Sequence, residues 1–266
     1  MTLAQIVERA LEEDIGSGDV TTNLCVPADR KATGSFRVRE PIVVAGVELL
    51  PLLYDDLDLK ASNGTCLHAG KEIATVRGPA QKLLTRERVA LNFLQHLSGV
   101  ATEARKYVDA VAGTNCRILD TRKTIPGLRE LEKMAVRAGG ATNHRMGLFD
   151  AVLIKNNHIT AAGGVRAALE ATKNANVPVQ IEVRTRAELD EALNCGAKKL
   201  LLDNLSPAEA KEWIRYIARR AAVELSGGIT LETVRAYAEA GPDFISVGAI
   251  THSVRAVDIH FRLELE

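Results

Sequence analysis

The sequence predicts an α/β protein in two parts, an amino-terminal α/β domain with a linker helix over 1–112 and a parallel α/β domain over 113–266, whose last residues can return to the first. Three observations carry this reading. Near the start, short apolar runs separated by Asn63-Gly64, Gly70 and Gly78-Pro79 mark a small sheet. A long stretch of helical periodicity follows, from Gln81 to Ala112. From Arg117 onward, short apolar strands alternate with helices of about ten or more residues, as in a parallel α/β domain.

Thr2 with Gln5 predicts a capping box, and Leu3, Ile6, Val7, Ala10 and Leu11 then fall on one face of a helix over 3–13. That helix carries Glu8, Arg9, Glu12 and Glu13 and no long apolar run, so a signal peptide or membrane anchor is not expected and the cytoplasm is the expected setting. The small sheet draws on Phe36 and Val38, Ile42 to Val44, Leu57 and Leu59, and Ile73 to Val76. In the linker helix Leu83, Leu91, Leu94 and Leu97 are the apolar positions, with a break expected near Ser98-Gly99. The later strands are expected at 117–120, 151–155, 179–183, 200–203, 223–226 and 244–247. Each ends in polar or glycine residues, which suits the mouth of an α/β barrel, where all strand carboxyl ends open together. A doubly wound sheet is the alternative, but it would gather such residues at one switch point.

Lys+Arg and Asp+Glu balance at 34 each, so no overall field favours nucleic acid or a membrane surface. Charge is unevenly placed, however: between Arg117 and His158 there are eight Lys or Arg against four acids. A cationic pocket in a neutral protein suits a small, highly anionic ligand. Cys25, Cys66, Cys116 and Cys195 are far apart with no zinc-ligand spacing, and are expected to be reduced and mostly buried.

Within the cationic segment, Arg129, Lys133 and Arg137 read as solvated charges on a helix whose buried stripe is Leu128, Leu131, Ala135 and Ala138. Arg122, Lys123, His144, Arg145 and Lys155 differ, because they sit at or just beyond strand ends. Ser226-Gly227-Gly228 and Gly248-Ala249 follow two late strands, where main-chain N–H groups and a helix starting near Thr230 could hold a phosphate. Glu182 and Asp203 end neighbouring strands; they suit magnesium-bound pyrophosphate or a cationic sugar, or else salt bridges to Lys155 or Arg145.

The blocks Asp120-Thr121-Arg122-Lys123-Thr124-Ile125-Pro126-Gly127-Leu128-Arg129, Gly139-Gly140-Ala141-Thr142-Asn143-His144-Arg145 and Leu153-Ile154-Lys155-Asn156-Asn157-His158 resemble the quinolinate phosphoribosyltransferase family. Glu13 to Thr22 is similar to its amino-terminal signature, and Leu91-Asn92 through His96-Leu97-Ser98-Gly99 to its linker helix. The resemblance implies an open-faced α/β sandwich followed by an incomplete α/β barrel, in at least a homodimer with active sites between subunits. It implies phosphoribosyl transfer from phosphoribosyl pyrophosphate to quinolinate with loss of carbon dioxide, and Mg2+ as cofactor. By position, Arg122, Lys123, His144, Arg145 and Lys155, with Thr121 beside them, would hold quinolinate carboxylates and donor phosphates, and Arg88 would reach the partner's site. Glu182 and Asp203 would face the ribose and magnesium–pyrophosphate, making them and Lys123 the catalytic set. Ser226, Gly227, Gly228, Val247, Gly248 and Ala249 would cradle the 5-phosphate. One departure stands out: many relatives carry a further acid where this chain has Gln180, on the same strand face as Glu182 and Arg184. A phosphoribosyltransferase-like relative with another acceptor, or a silent phosphate-binding module, are the competing readings.

Overall fold

The computed structural model describes residues 2–266. In chain order its elements are α1 (Leu3–Ile15), α2 (Val20–Cys25), β1 (Lys31–Val38), β2 (Ile42–Val43), a 3-10 helix (Val47–Leu52), β3 (Asp56–Leu59), β4 (Cys66–Leu67), β5 (Glu72–Pro79) and α3 (Ala80–Ala110). There follow β6 (Arg117–Leu119), α4 (Arg129–Ala138), β7 (Val152–Ile154), α5 (Asn156–Ala162), α6 (Val165–Ala171), β8 (Val179–Val183) and α7 (Arg186–Asn194). The chain closes with β9 (Lys199–Asp203), α8 (Pro207–Ile217), β10 (Ala222–Ser226), α9 (Val234–Glu239), β11 (Phe244–Ser246), α10 (Ala249–His252) and β12 (Ile259–Leu265). These form two compact units: the first holds 1–105, 125–140 and 253–266, and the second 106–124 and 141–252.

The first unit is built on an antiparallel sheet in the order β12-β1-β5-β3. Its buried heart is Phe36, whose ring lies 4.9 Å from that of Phe261 and 5.9 Å from that of Tyr54. Gly34, two residues earlier on β1, faces Phe261 so closely that a Cβ there would run into the ring. The capping box of α1 forms as expected, Thr2 and Gln5 each accepting from the other's backbone N–H. The break expected near Ser98-Gly99 does not occur: α3 runs through it. These residues serve packing instead, Ser98 Oγ accepting from the Ala45 N–H at 3.0 Å and Gly99 letting the Arg255 carbonyl close against the helix.

On α4 the expectation of solvated cations fails at Lys133, which is fully buried together with Glu132, while Arg137 is exposed. The buried face is wider than the apolar stripe because His96 on α3 lies 2.8 Å from Glu132 Oε1, so the acid has a partner inside.

The second unit is a parallel sheet in the order β6-β11-β10-β9-β8-β7 with helices between strands, and its end strands β6 and β7 do not pair with each other. All six predicted strands are present, within one or two residues at each end. Ile181, Leu200, Leu202, Leu225 and Ile245 fill its interior. Because the strands are parallel, their carboxyl ends share one edge. Just past two of them, capping boxes start the next helices, Thr185 with Glu188 on α7 and Ser206 with Glu209 on α8. The helix expected near Thr230 begins only at Val234, because Thr230 and Thr233 bond to each other in a preceding turn. The cysteines are all free, but Cys25 and Cys66 are exposed rather than buried, since each lies at the rim of the first unit's short elements; Cys195 is partly exposed. Burial pushes the Cys116 thiol up to about 12, the Asp243 charge adding to it. No described helix is long and apolar enough to cross a membrane.

Candidate active site

Within the second unit, the site residues gather at the carboxyl edge of the sheet. Thr142 extends β6 by a parallel bridge to Leu119, which sets Asn143-His144-Arg145 beside Asp120-Thr121-Arg122. Asp120, fully buried, fixes this junction: its carboxylate accepts from Asn143 Nδ2 at 2.7 Å and from the His144 N–H at 2.6 Å. The Arg145 guanidinium donates to the Ala151 carbonyl at 3.0 Å. Burial and the nearby Arg122 charge both push the Arg145 pKa down, against the pull of Asp150. Arg145, partly buried, and the exposed Arg122 thus put two guanidinium charges at this edge, which suits an anion.

Thr121 accepts the Lys123 N–H at 3.1 Å, and the Lys123 carbonyl accepts from Thr251 Oγ1 at 2.7 Å. This brings the lysine stem over Gly248, where a Cβ would stand 3.1 Å from Lys123 Cδ and 2.9 Å from His252 Cδ2. Val247 is tied to the same edge, its N–H donating to the Leu119 carbonyl at 2.9 Å. At the end of β10, Gly227 has φ +108° and lies against Asn204 so tightly that no side chain would fit. Asn204, itself at φ 58°, donates to the Ser226 carbonyl at 2.9 Å and through Nδ2 to Asp203 at 2.7 Å. Thus the glycine turn Ser226–Gly228 and Asp203 form one connected feature.

Glu182, almost fully buried on β8, and Asp203, on the neighbouring β9, meet Arg184 rather than Lys155 or Arg145. Arg184 Nη2 is 2.8 Å from Glu182 Oε1 and 3.5 Å from Asp203 Oδ2. The closer contact is misaligned, so the buried Glu182 Oε1 makes no hydrogen bond. Lys155 starts α5 and is exposed, its N–H held by His158 Nδ1 at 2.9 Å. Neither Lys123 nor Lys155 has an ion-pair partner among the described residues. Arg88 belongs to the first unit; it is exposed on α3, next in sequence to Glu87, whose carboxyl burial pushes up and Arg88 pulls down.

Three contributors lay outside the sequence reading: the supports Asp120 and Asn204, and Glu224, which is fully buried on β10 with His144, Gln180 and Lys199 around it. Asp120 opens a recognised block, and Asn204 directly follows the strand-end acid Asp203, which were usable signals. Glu224 sits in an apolar strand two residues before Ser226, and nothing in the sequence marks its partners.

The model for the quinolinate phosphoribosyl transferase C-terminal domain matches residues 100–262, and that for the N-terminal domain matches 19–98. The chain is 43% identical to nicotinate-nucleotide pyrophosphorylase [carboxylating] of Mycobacterium leprae, over 95% of this chain and 94% of that protein. It is 37% identical to the probable enzyme of the same name in Bacillus subtilis, over 100% and 94%. The crystal structure of nicotinate-nucleotide pyrophosphorylase from Ehrlichia chaffeensis superposes with a TM-score of 0.95 at 35% identity, covering 99% of both chains. Two domain models in register and likeness over the full length leave one assignment: the chain belongs to the quinolinate phosphoribosyl transferase family.

Proposed function

We propose that the chain transfers the phosphoribosyl group of phosphoribosyl pyrophosphate to quinolinate and releases carbon dioxide, giving nicotinate mononucleotide and pyrophosphate for NAD biosynthesis. The observation that carries this is the set of cations at the carboxyl edge of the parallel sheet, Arg145 donating to the Ala151 carbonyl with the exposed Arg122, Lys123 and Lys155 at the same strand ends. Several cations at one edge suit a dicarboxylate better than a monocarboxylate.

The residues divide the reaction between them. Arg122, His144, Arg145 and Lys155 orient quinolinate so that its ring nitrogen faces the ribose. Lys123 and the main chain of Ser226–Gly228 and Val247–Ala249 hold donor phosphates. As the nitrogen bonds to the anomeric carbon and pyrophosphate departs, positive charge builds on the sugar, and the carboxylates of Glu182 and Asp203 stabilise it. No protein nucleophile is needed. The alkylated ring is a pyridinium, which takes up the electron pair freed when the carboxylate next to nitrogen leaves as carbon dioxide; a proton then replaces it.

Glu182 Oε1, buried without a hydrogen bond, and Asp203 beside it would hold Mg2+, an ion bound by one or two carboxylates plus substrate phosphates. The ion would supply charge neutralisation for the leaving pyrophosphate. Gln180 adds no charge to this set, and Arg184 competes for it.

A homodimer or higher oligomer with shared sites goes with exposed apolar residues in each unit, Val20 and Leu24 in the first and Leu148 and Phe149 in the second. Arg88, exposed on α3, is the residue offered to the partner's site. A reducing, cytoplasmic setting suits the four free thiols.

Incubating the pure protein with quinolinate, phosphoribosyl pyrophosphate and magnesium should give nicotinate mononucleotide. No product under conditions where both substrates bind would overturn the reading.

A further inference from the structure

We propose that Glu224 is a positioning residue for quinolinate binding, acting through His144 by fixing which ring nitrogen carries the proton and which way the ring faces. The inference rests on the proposed function for its substrate, but not for its geometry.

The proton assignment follows from donor counting. His144 Nδ1 lies 2.8 Å from the Arg145 main-chain N–H, a group that can only donate. Nδ1 is therefore bare. In the neutral ring the proton then sits on Nε2, which lies 3.4 Å from Glu224 Oε1. Both ring nitrogens face protein groups, so His144 serves substrate by holding the Arg145 N–H and the turn around it rather than by lending a free nitrogen.

Glu224 is built to receive that proton. It is fully buried, and three neighbouring strands converge on it: Gln180 Nε2 from β8 donates to Oε2 at 2.9 Å, Lys199 Nζ from β9 lies 3.3 Å from the same oxygen, and β10 carries the acid itself. Lys199 is held in turn 4.9 Å from the centroid of the Phe244 ring on β11. Oε2 is thus satisfied, while Oε1 has no aligned hydrogen bond and lies 3.4 Å from the imidazole Nε2. Gln180 matters here. As an amide it brings an N–H donor to the carboxylate, where an acid would bring a second buried negative charge.

The front of the same turn is held by Asp120, which accepts from Asn143 and from the His144 N–H. Two buried acids therefore hold Asn143-His144-Arg145. Of these, Glu224 is the one that faces the ring, at Nε2, opposite the Arg145 N–H at Nδ1.

The test uses Glu224→Gln, which keeps the shape but places an amide among Gln180, Lys199 and His144, so that one of them loses its acceptor. Quinolinate affinity by calorimetry should fall at least tenfold, while affinity for phosphoribosyl pyrophosphate stays within about twofold. Equal losses for both ligands, or none, would overturn the proposal. Ring-15N NMR of the wild-type protein gives a reading independent of whether that variant folds: the signal lost in His144→Gln should show the proton on Nε2 at neutral pH. A proton on Nδ1 would also overturn it. Failure of the wild-type protein to bind quinolinate at all would instead sink the proposed function, and the tautomer measurement would still stand.

Discussion

Arg145→Ala should weaken quinolinate binding while leaving the unliganded protein nearly as stable as before. The guanidinium makes one hydrogen bond, to the Ala151 carbonyl, and lies in the repulsive field of Arg122. Losing the first costs about 0.5–1.5 kcal/mol, and relief of the second offsets part of it. Losing a charge-assisted contact to a substrate carboxylate costs about 1.5–3 kcal/mol, roughly 10- to 150-fold in affinity. Thermal unfolding with and without ligand reads both quantities. Quinolinate at a hundred times its wild-type Kd adds about 2.7 kcal/mol to the folded state, roughly 5–10 °C in a chain of this size. A tenfold weaker variant at the same concentration retains only about half of that. A variant with a full wild-type quinolinate shift would refute the assignment of the Arg122 and Arg145 cluster to the dicarboxylate.

Lys123→Ala, which removes the side chain whose stem lies over Gly248, should slow turnover at least tenfold, measured as kcat; a near-wild-type rate would make it a surface lysine. Arg184→Ala should lower the magnesium concentration giving half-maximal rate, because the guanidinium 2.8 Å from Glu182 Oε1 no longer competes; calorimetric Mn2+ binding should strengthen in parallel, and no change in either would dismiss the competition. If sites are shared, mixing inactive Arg88→Ala with inactive Lys155→Ala should restore up to about a quarter of native activity in exchanged dimers; none, with exchange demonstrated, would confine Arg88 to its own chain. Burial alone would raise the Glu224 carboxyl, but His144, Gln180 and Lys199 outweigh it and hold it at about 2, below its ordinary 4.5. Stability from this group is therefore present above about 4.5 and lost as pH falls toward 2. Acid unfolding curves of the wild type should show that loss and those of Glu224→Gln should not.

The strands of the second unit were legible because each combines an apolar run with a polar or glycine end. The site positions Lys155, Glu182, Asp203 and Ser226 follow from being at those ends. What hid from the sequence were groups whose neighbours come from elsewhere in the chain. Lys133 has the pattern of a solvated helix cation, yet it is buried beside Glu132, which is held by His96 from 36 residues away. Ser98-Gly99 has the signature of a break, but long-range contacts to Ala45 and Arg255 keep the helix running. Likewise Arg184, not a cation of the recognised blocks, occupies the acid pair, because side-chain direction along β8 sets Glu182 and Arg184 on one face.

In the proposed reaction, cations at the carboxyl ends of the parallel strands read two carboxylates and let one of them leave. Its most direct test is the reaction with quinolinate labelled with 13C in the carboxylate next to the ring nitrogen, run beside unlabelled nicotinate. One labelled carbon dioxide is expected for each pyrophosphate and each nicotinate mononucleotide formed, with a far lower kcat/KM for nicotinate. Comparable efficiency with nicotinate, or mononucleotide that retains the label, would contradict it.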